Sequence, residues 1–564
     1  MHPIIKATAL GCAATLLAAC GSENNKQAGT EEIDVEARLA SATTLEQYLK
    51  KGYIDRYSYS GYDTETGTTT AIDVGAVDES AESDADSSDY SATNTQEDGV
   101  DEADLIKQNG DYLYAVRNPG YWQNDSNGAA ILTWSTATGP TSSQLQSTIA
   151  LDDATYVHGL YLTDNNLIAL TRGGVDPVEY YYDDSISIDE QTSTASSSAW
   201  YYQSYITNLK LLSLNDPTTP TLSLQISFEG YMVSSRVVGN QLYLANRFTP
   251  QLDTPSYYSD VSTSDWQQTV LDTPLEDLLP RVWVNGELQG HLFEDGDCNV
   301  PDLAQGGYPS LTAVIRINLD DPTDWQASCN SGRLYGVYAS TDAFVLTGYN
   351  DASYDSTRLD WYDLANFELI ASSSVPGTLD GNMPSFRLSE QNGYLRVLTS
   401  SWNWGFWDTV EIDDVAAVEV DNAAAASSSD TTTSTTVISS EDWQHRLFVL
   451  QAADDGSLDL ISQLPNSERT TVIGKPGEDV KSVRYFNQRA YVVTFQQTDP
   501  LYVINLSDNS DPFVEGELEI TVGPETRTLK AGDAYLFNSK EPHRFKNNSD
   551  RVCKVISACT PPYL

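Results

Sequence analysis

The chain is poor in the residues that most often carry chemistry. Its 564 residues include five histidines, six cysteines, three methionines and 31 Lys and Arg, against 81 Asp and Glu. There is no G-x-x-x-x-G-K-[ST], no H-E-x-x-H, no C-x-x-C and no G-x-S-x-G. The usual signatures of a P-loop, a zincin centre, a dithiol site and a nucleophile elbow are therefore absent. A net charge of −50 repels nucleic acid and anionic membrane, so nucleic acid is not an expected partner, while cations are attracted.

What is abundant is Tyr, with 33 residues, together with Ser, Thr, Asp and Gly. That mixture favours strands and turns over helices. The first twenty residues, "MHPIIKATALGCAATLLAAC", carry one Lys6, an apolar run too short to span a bilayer, and Leu17-Ala18-Ala19-Cys20. They resemble a bacterial lipoprotein signal. The resemblance implies removal of residues 1–19, a lipid on Cys20 as the only membrane attachment, and a place in the cell envelope.

Residues 20–100 read as a polar, acidic linker. Leu39, Leu45, Tyr48 and Leu49 mark a short helix within it, and a Ser/Asp/Thr-rich spacer at 62–100 lacks the apolar content to fold alone. Two similar tracts, 176–199 and 411–441, read as long surface loops. Cys298 and Cys329 are candidates for a disulfide in an oxidising compartment. Cys553 and Cys559, six apart on one strand, would lie about 20 Å from each other and read as free thiols.

Between the loops a turn followed by a short apolar strand recurs: "QNGDYLYAV" (108–116), "DNNLIALT" (164–171), "GNQLYLAN" (239–246), "QNGYLRVLT" (391–399) and "NQRAYVVTF" (487–495). Strands ending in Asp-Pro recur as well, and the closest spacings are about 50–55 residues. Such a repeat suggests propeller blades, whose faces must be covered by neighbours. A β-sandwich with irregular insertions is the competing reading. The stretch "YSATNTQEDGVDEADLIKQNGDYLYAV" (90–116) resembles the opening signature of a family of secreted bacterial and archaeal β-propeller proteins. The resemblance extends over about 90–515 and implies fold and export, not a reaction. An all-β chain with a propeller over 101–514 is expected, its ring closure open to question.

Within the signature, Asp98, Asp101, Glu102 and Asp104 crowd one turn. They are candidate Ca²⁺ ligands, with a hydrated acidic turn as the alternative. Only four histidines lie beyond the signal: His158, His291, His445 and His543. His158 and His445 sit beside strands and are expected to be structural. Aromatic loops such as "EYYYDD" and "SWNWGFWD" (401–408) suit either blade packing or contact with a sugar or protein partner.

The end of the chain, "LKAGDAYLFNSKEPHRFKNNSD", resembles the second motif of the cupin family, with Gly532, His543 and Asn547 in place. Asn538 and Lys540 stand where that motif has Pro and Gly. The closing "VCKVISACTPPYL" resembles cupins fused to transcription regulators. The resemblance implies a partial cupin-like half-barrel over 515–564. The first-motif metal ligands are missing: their positions fall on 502–505 and Asn509. One histidine does not hold a transition metal tightly, so His543 is expected to be a remnant. Three functions follow as expectations. The first is partner binding, to an envelope protein or polysaccharide, without catalysis. The second is a carbohydrate hydrolase or lyase using carboxylates on the propeller face. The third is cupin-type metal or small-molecule binding through His543, with ligands supplied from elsewhere, such as His291 or His445.

Overall fold

Strands dominate the computed structural model. It describes residues 38–39, 42–58, 95–119, 128–136, 143–174, 205–250, 252, 263–301, 306–350, 353–379, 384–401, 444–474, 478–495, 501–515, 517–530 and 541–547. The tracts at 176–199 and 411–441, the two aromatic loops, Cys20, Cys553, Cys559 and Gly532 lie outside the described residues.

Among the described residues six sheets follow one another along the chain, each built around four antiparallel strands, consecutive in all but blade 3, where an insertion separates the second strand from the third. Blade 1 runs from Ile106–Gln108 to Gln144–Ala150, and blade 2 from Ala154–Leu162 to Thr221–Glu229. A hairpin, Arg281–Val284 with Glu287–His291, widens blade 2 on its outer side. Blade 3 spans Tyr231–Val238 to Trp325–Ser331, blade 4 Leu334–Ala339 to Glu368–Pro376, and blade 5 Leu388–Gln391 to Leu458–Leu464. Blade 6 spans Asp479–Phe486 to Phe513–Val514. This is a β-propeller, as the repeat implied.

The turn chemistry explains the register. In blade 5, Gln391 faces Tyr394 across a two-residue loop. Asn392 and Gly393 both take positive φ, 54° and 77°. That is the left-handed pair a tight hairpin requires, and Asn-Gly supplies it with little strain.

Both faces of a middle blade are apolar because both are covered. Blade 5 presents Leu395 and Val397 to blade 4 and Leu398 to blade 6, all three fully buried. Separate apolar clusters join blades 1 and 2, 2 and 3, 3 and 4, 4 and 5, and 5 and 6.

The helix expected near residue 45 is α1, Thr44–Ser58. Thr43 Oγ1 accepts from the Glu46 backbone NH (3.3 Å), an N-cap. The helix docks on the propeller instead of lying in a linker. Leu45 and Leu49 enter the cluster between blades 2 and 3, and Tyr53 and Ile54 pack on Trp266 of α2, Thr263–Asp272. The approach is close enough that a Cβ on Gly52 would lie 2.5 Å from the Tyr308 backbone. After blade 6, Glu517–Val522, Glu525–Lys530 and His543–Asn547 form a three-stranded sheet with the first strand in the centre. No closed barrel is formed among the described residues.

Candidate functional site

The first strands of blades 1 and 2, 3 and 4, and 4 and 5 approach one another, and one segment touches blades 5, 4, 3 and 2 before it opens blade 1. Gln96 donates to the Ser385 carbonyl beside blade 5 (2.8 Å). Glu97 accepts from Tyr338 Oη of blade 4 (2.9 Å). Val100–Glu102 pairs with the first strand of blade 3. Asp104 bridges Leu160 of blade 2, and Ile106–Gln108 opens blade 1.

Around Glu97 lies a charged cluster. Tyr338 Oη also accepts from the Glu390 backbone NH (2.6 Å). The Glu390 carboxylate accepts from Ser340 Oγ (2.6 Å) and from the Gly393 NH (2.8 Å). Buried Arg396 donates to Asn509 Oδ1 (3.0 Å) and Gln391 Oε1 (3.0 Å). Burial pushes the Glu97 carboxyl up from 4.5 to about 7; the Tyr338 hydrogen bond works against the shift, and the charge of Glu390 adds to it. Glu97 is thus a half-buried carboxyl poised near neutrality.

A second cluster joins blades 5 and 6. Ser400 Oγ lies 2.8 Å from His445 Nδ1, and Arg387 Nη1 donates to the same hydroxyl (2.8 Å). His445 Nε2 lies 2.9 Å from the Glu478 carbonyl oxygen, which fixes the proton on Nε2 and leaves Nδ1 to accept from Ser400. Burial lowers the His445 pKa. This serine–histidine pair is sealed: Ser400 is 1% exposed and His445 3%. Its arrangement is that of an inter-blade strut, and both ring nitrogens are already engaged.

Of the described residues singled out from sequence, the two cysteines meet, while the acidic turn divides between different partners. Asp101 pairs with Lys107 (2.8 Å) and Glu102 with Arg236 (3.5 Å). Asp98 is exposed, and Asp104 holds its place through backbone bonds. Among the described residues no group of three or more His, Cys, Asp or Glu is arranged to hold a metal. Cys298 and Cys329 form a disulfide that ties the outer edge of blade 3. His158 sits at a bulge in the first strand of blade 2, packs edge-on to Tyr156, and is held by burial down to about 4. His291 ends the hairpin of blade 2 and is exposed. His543 is exposed too; its Nδ1 lies 2.9 Å from the Glu541 carbonyl oxygen. Asn547 pairs with Leu518 through the backbone.

Glu97, Tyr338, Glu390 and Arg396 were not singled out from sequence. A signal existed for Arg396: it interrupts "YLRVL" at a position where the other repeats place Tyr or an aliphatic residue.

The family described as "Beta propeller domain" matches residues 90–522, and this chain belongs to it. A cupin domain matches residues 513–559, overlapping the end of blade 6. Among curated proteins, "Uncharacterized protein MJ1554" of Methanocaldococcus jannaschii is 28% identical over 167 residues, 30% of this chain and 19% of that protein. The "HTH-type transcriptional regulator PuuR" of Escherichia coli is 42% identical over 48 residues, 8% of this chain and 26% of that protein. This chain thus spans about a quarter or less of either relative. Among solved structures, a Pyrococcus horikoshii acylaminoacyl peptidase is similar over 76% of this chain and 49% of its own, with 9% identity and a TM-score of 0.25. A Synechocystis apocarotenoid oxygenase is similar over 78% and 74%, with 10% identity and a TM-score of 0.23.

Proposed function

We propose that this chain is a lipid-anchored envelope protein whose propeller binds a partner, a protein or a polysaccharide, without turning it over. The observation that carries the reading is the use made of the reactive groups. Ser400 and His445 are sealed between blades, and residues 95–108 are bonded to one blade after another. The loops and blade faces are left to do the recognising. The disulfide fits export to an oxidising compartment.

One observation favours a second reading. Glu97, with a pKa near 7 and Glu390 close by, has the protonation behaviour of a general acid acting on a glycosidic bond. Incubating the mature chain with a panel of polysaccharides distinguishes the two. Retention of a polysaccharide without release of reducing ends is the expected result. Release that disappears in Glu97→Gln would replace the binding reading with the hydrolase.

A further inference from the structure

Blades 2 to 5 each give one face to the preceding cluster and the other to the following one. The two end blades do not: among the described residues, no apolar cluster joins blade 6 to blade 1. The far face of blade 1 follows from its register, in which Ile106, Ala115 and Leu132 share one side, as do Leu113, Trp134 and Leu145. All six are apolar, yet Ile106 is 52% and Leu145 49% exposed. On blade 6, Val493 and Leu501 share the far side, and Phe486 and Phe495 stand 67% and 41% exposed.

These are blade-packing positions that lack a blade. Leu113 occupies the place that Leu395 takes in blade 5, and Val493 the place of Leu398. Leu395 and Leu398 are completely buried, whereas Leu113 and Val493 are only partly buried. The far side of blade 6 also carries Ser482, Arg484, Arg489 and Asn505 by register, but the exposed apolar residues on both end blades make patches of the kind that mark association surfaces.

We infer that the far face of blade 6 in one chain docks on the far face of blade 1 in a second copy. The occupant follows from continuity. Five times within the chain, the side of a blade corresponding to Val493 packs on the side of the next blade corresponding to Leu113. A second copy offers that same surface and extends the same interface. Because the two surfaces differ, the contact is head-to-tail, not two-fold. The net charge of −50 opposes association, so screening by salt strengthens it.

Sedimentation of the mature chain in 0.05 M and 0.5 M NaCl tests this. The mass is expected to rise with protein concentration and with salt. Phe486→Asp and Ile106→Asp should each weaken self-association at least tenfold with unchanged circular dichroism, both sites being exposed. Mixed one to one, the two variants should form a heterodimer, since each keeps the face the other has lost. A monomeric wild type at 100 μM in 0.5 M NaCl would overturn the inference. So would a mixture of the variants that stays monomeric while the wild type associates.

Discussion

Glu97 is protonated in the folded chain up to about pH 7, whereas in the unfolded chain it releases its proton near 4.5. Between those values the folded state binds more protons than the unfolded state, so this residue's contribution falls as pH rises. Its stabilisation is complete below pH 4.5 and lost once pH has passed 7. The interval from 4.5 to about 7, at ~1.36 kcal/mol per pH unit, sets a ceiling of about 3 kcal/mol. Partial contact with water reduces the expected effect to about 1–2 kcal/mol. Glu97→Gln keeps the acceptor for Tyr338 and removes the titration. Urea unfolding followed by tryptophan fluorescence should therefore show the two chains equal in stability below pH 4.5, and a smaller difference between them at pH 5 than at pH 8.5. At pH 8.5 the variant should be more stable by about 1–2 kcal/mol. His158 acts with the opposite sign: its folded value near 4 lies below the unfolded 6.5, so stability is lost as pH falls below 6.5. It is common to both chains and cancels in their difference. A wild-type-minus-variant difference that is the same at pH 5 and pH 8.5 would refute the argument.

Gly52→Ala places a methyl 2.5 Å from the Tyr308 backbone. It should cost about 1–3 kcal/mol, read as a lower Tm and faster hydrogen exchange in α1. Replacing both Cys298 and Cys329 by Ala opens a loop of sequence separation 31 and should destabilise by about 2–4 kcal/mol in denaturant titrations. His445→Ala removes the acceptor of the Ser400 hydroxyl proton and a donor to the Glu478 carbonyl, with an expected loss of about 2 kcal/mol and no effect on partner retention.

The blades were legible because each repeats a local code: Asn-Gly or a polar turn, then a strand apolar on both faces. Leu167, Leu242 and Leu395 keep equivalent places in three repeats, and that spacing survives long insertions. The docking of α1 was not legible. Its capping pattern, Thr43 then Glu46, announces a helix, but nothing local says that Gly52 will touch Gly307 and Tyr308. The acidic signature was readable as a cluster, but its geometry was not. Asp98, Asp101, Glu102 and Asp104 are adjacent in sequence, but the segment is extended, and Asp101 and Glu102 end on different cations. The group of Glu97, Tyr338, Glu390 and Arg396 joins residues up to about 300 apart, which no spacing rule connects.

Where the propeller meets the tail, one buried carboxylate is held by the blade, and its role can be tested directly. The fourth strands of blades 1 to 5 are seven to nine residues long, but that of blade 6 is only Phe513–Val514. Just beyond it, buried Glu515 accepts from Arg489 Nε (2.7 Å) and Asn505 Nδ2 (2.8 Å). The chain then leaves for the cupin-like sheet. "VEGELEI" is thus divided: Val514 and Glu515 belong to the blade, and Glu517 onward to the sheet. Glu515→Ala removes the anchor and leaves both donors without it, at a cost of about 1–3 kcal/mol. If Glu515 holds the tail's first residues to the blade, hydrogen exchange should accelerate over 501–515 and leave blades 1 to 4 unchanged. The internal bonds of the sheet at 517–530 should keep their protection, since that sheet is built from its own hairpin. Loss of protection across both regions together would show instead that blade 6 and the tail fold as one unit.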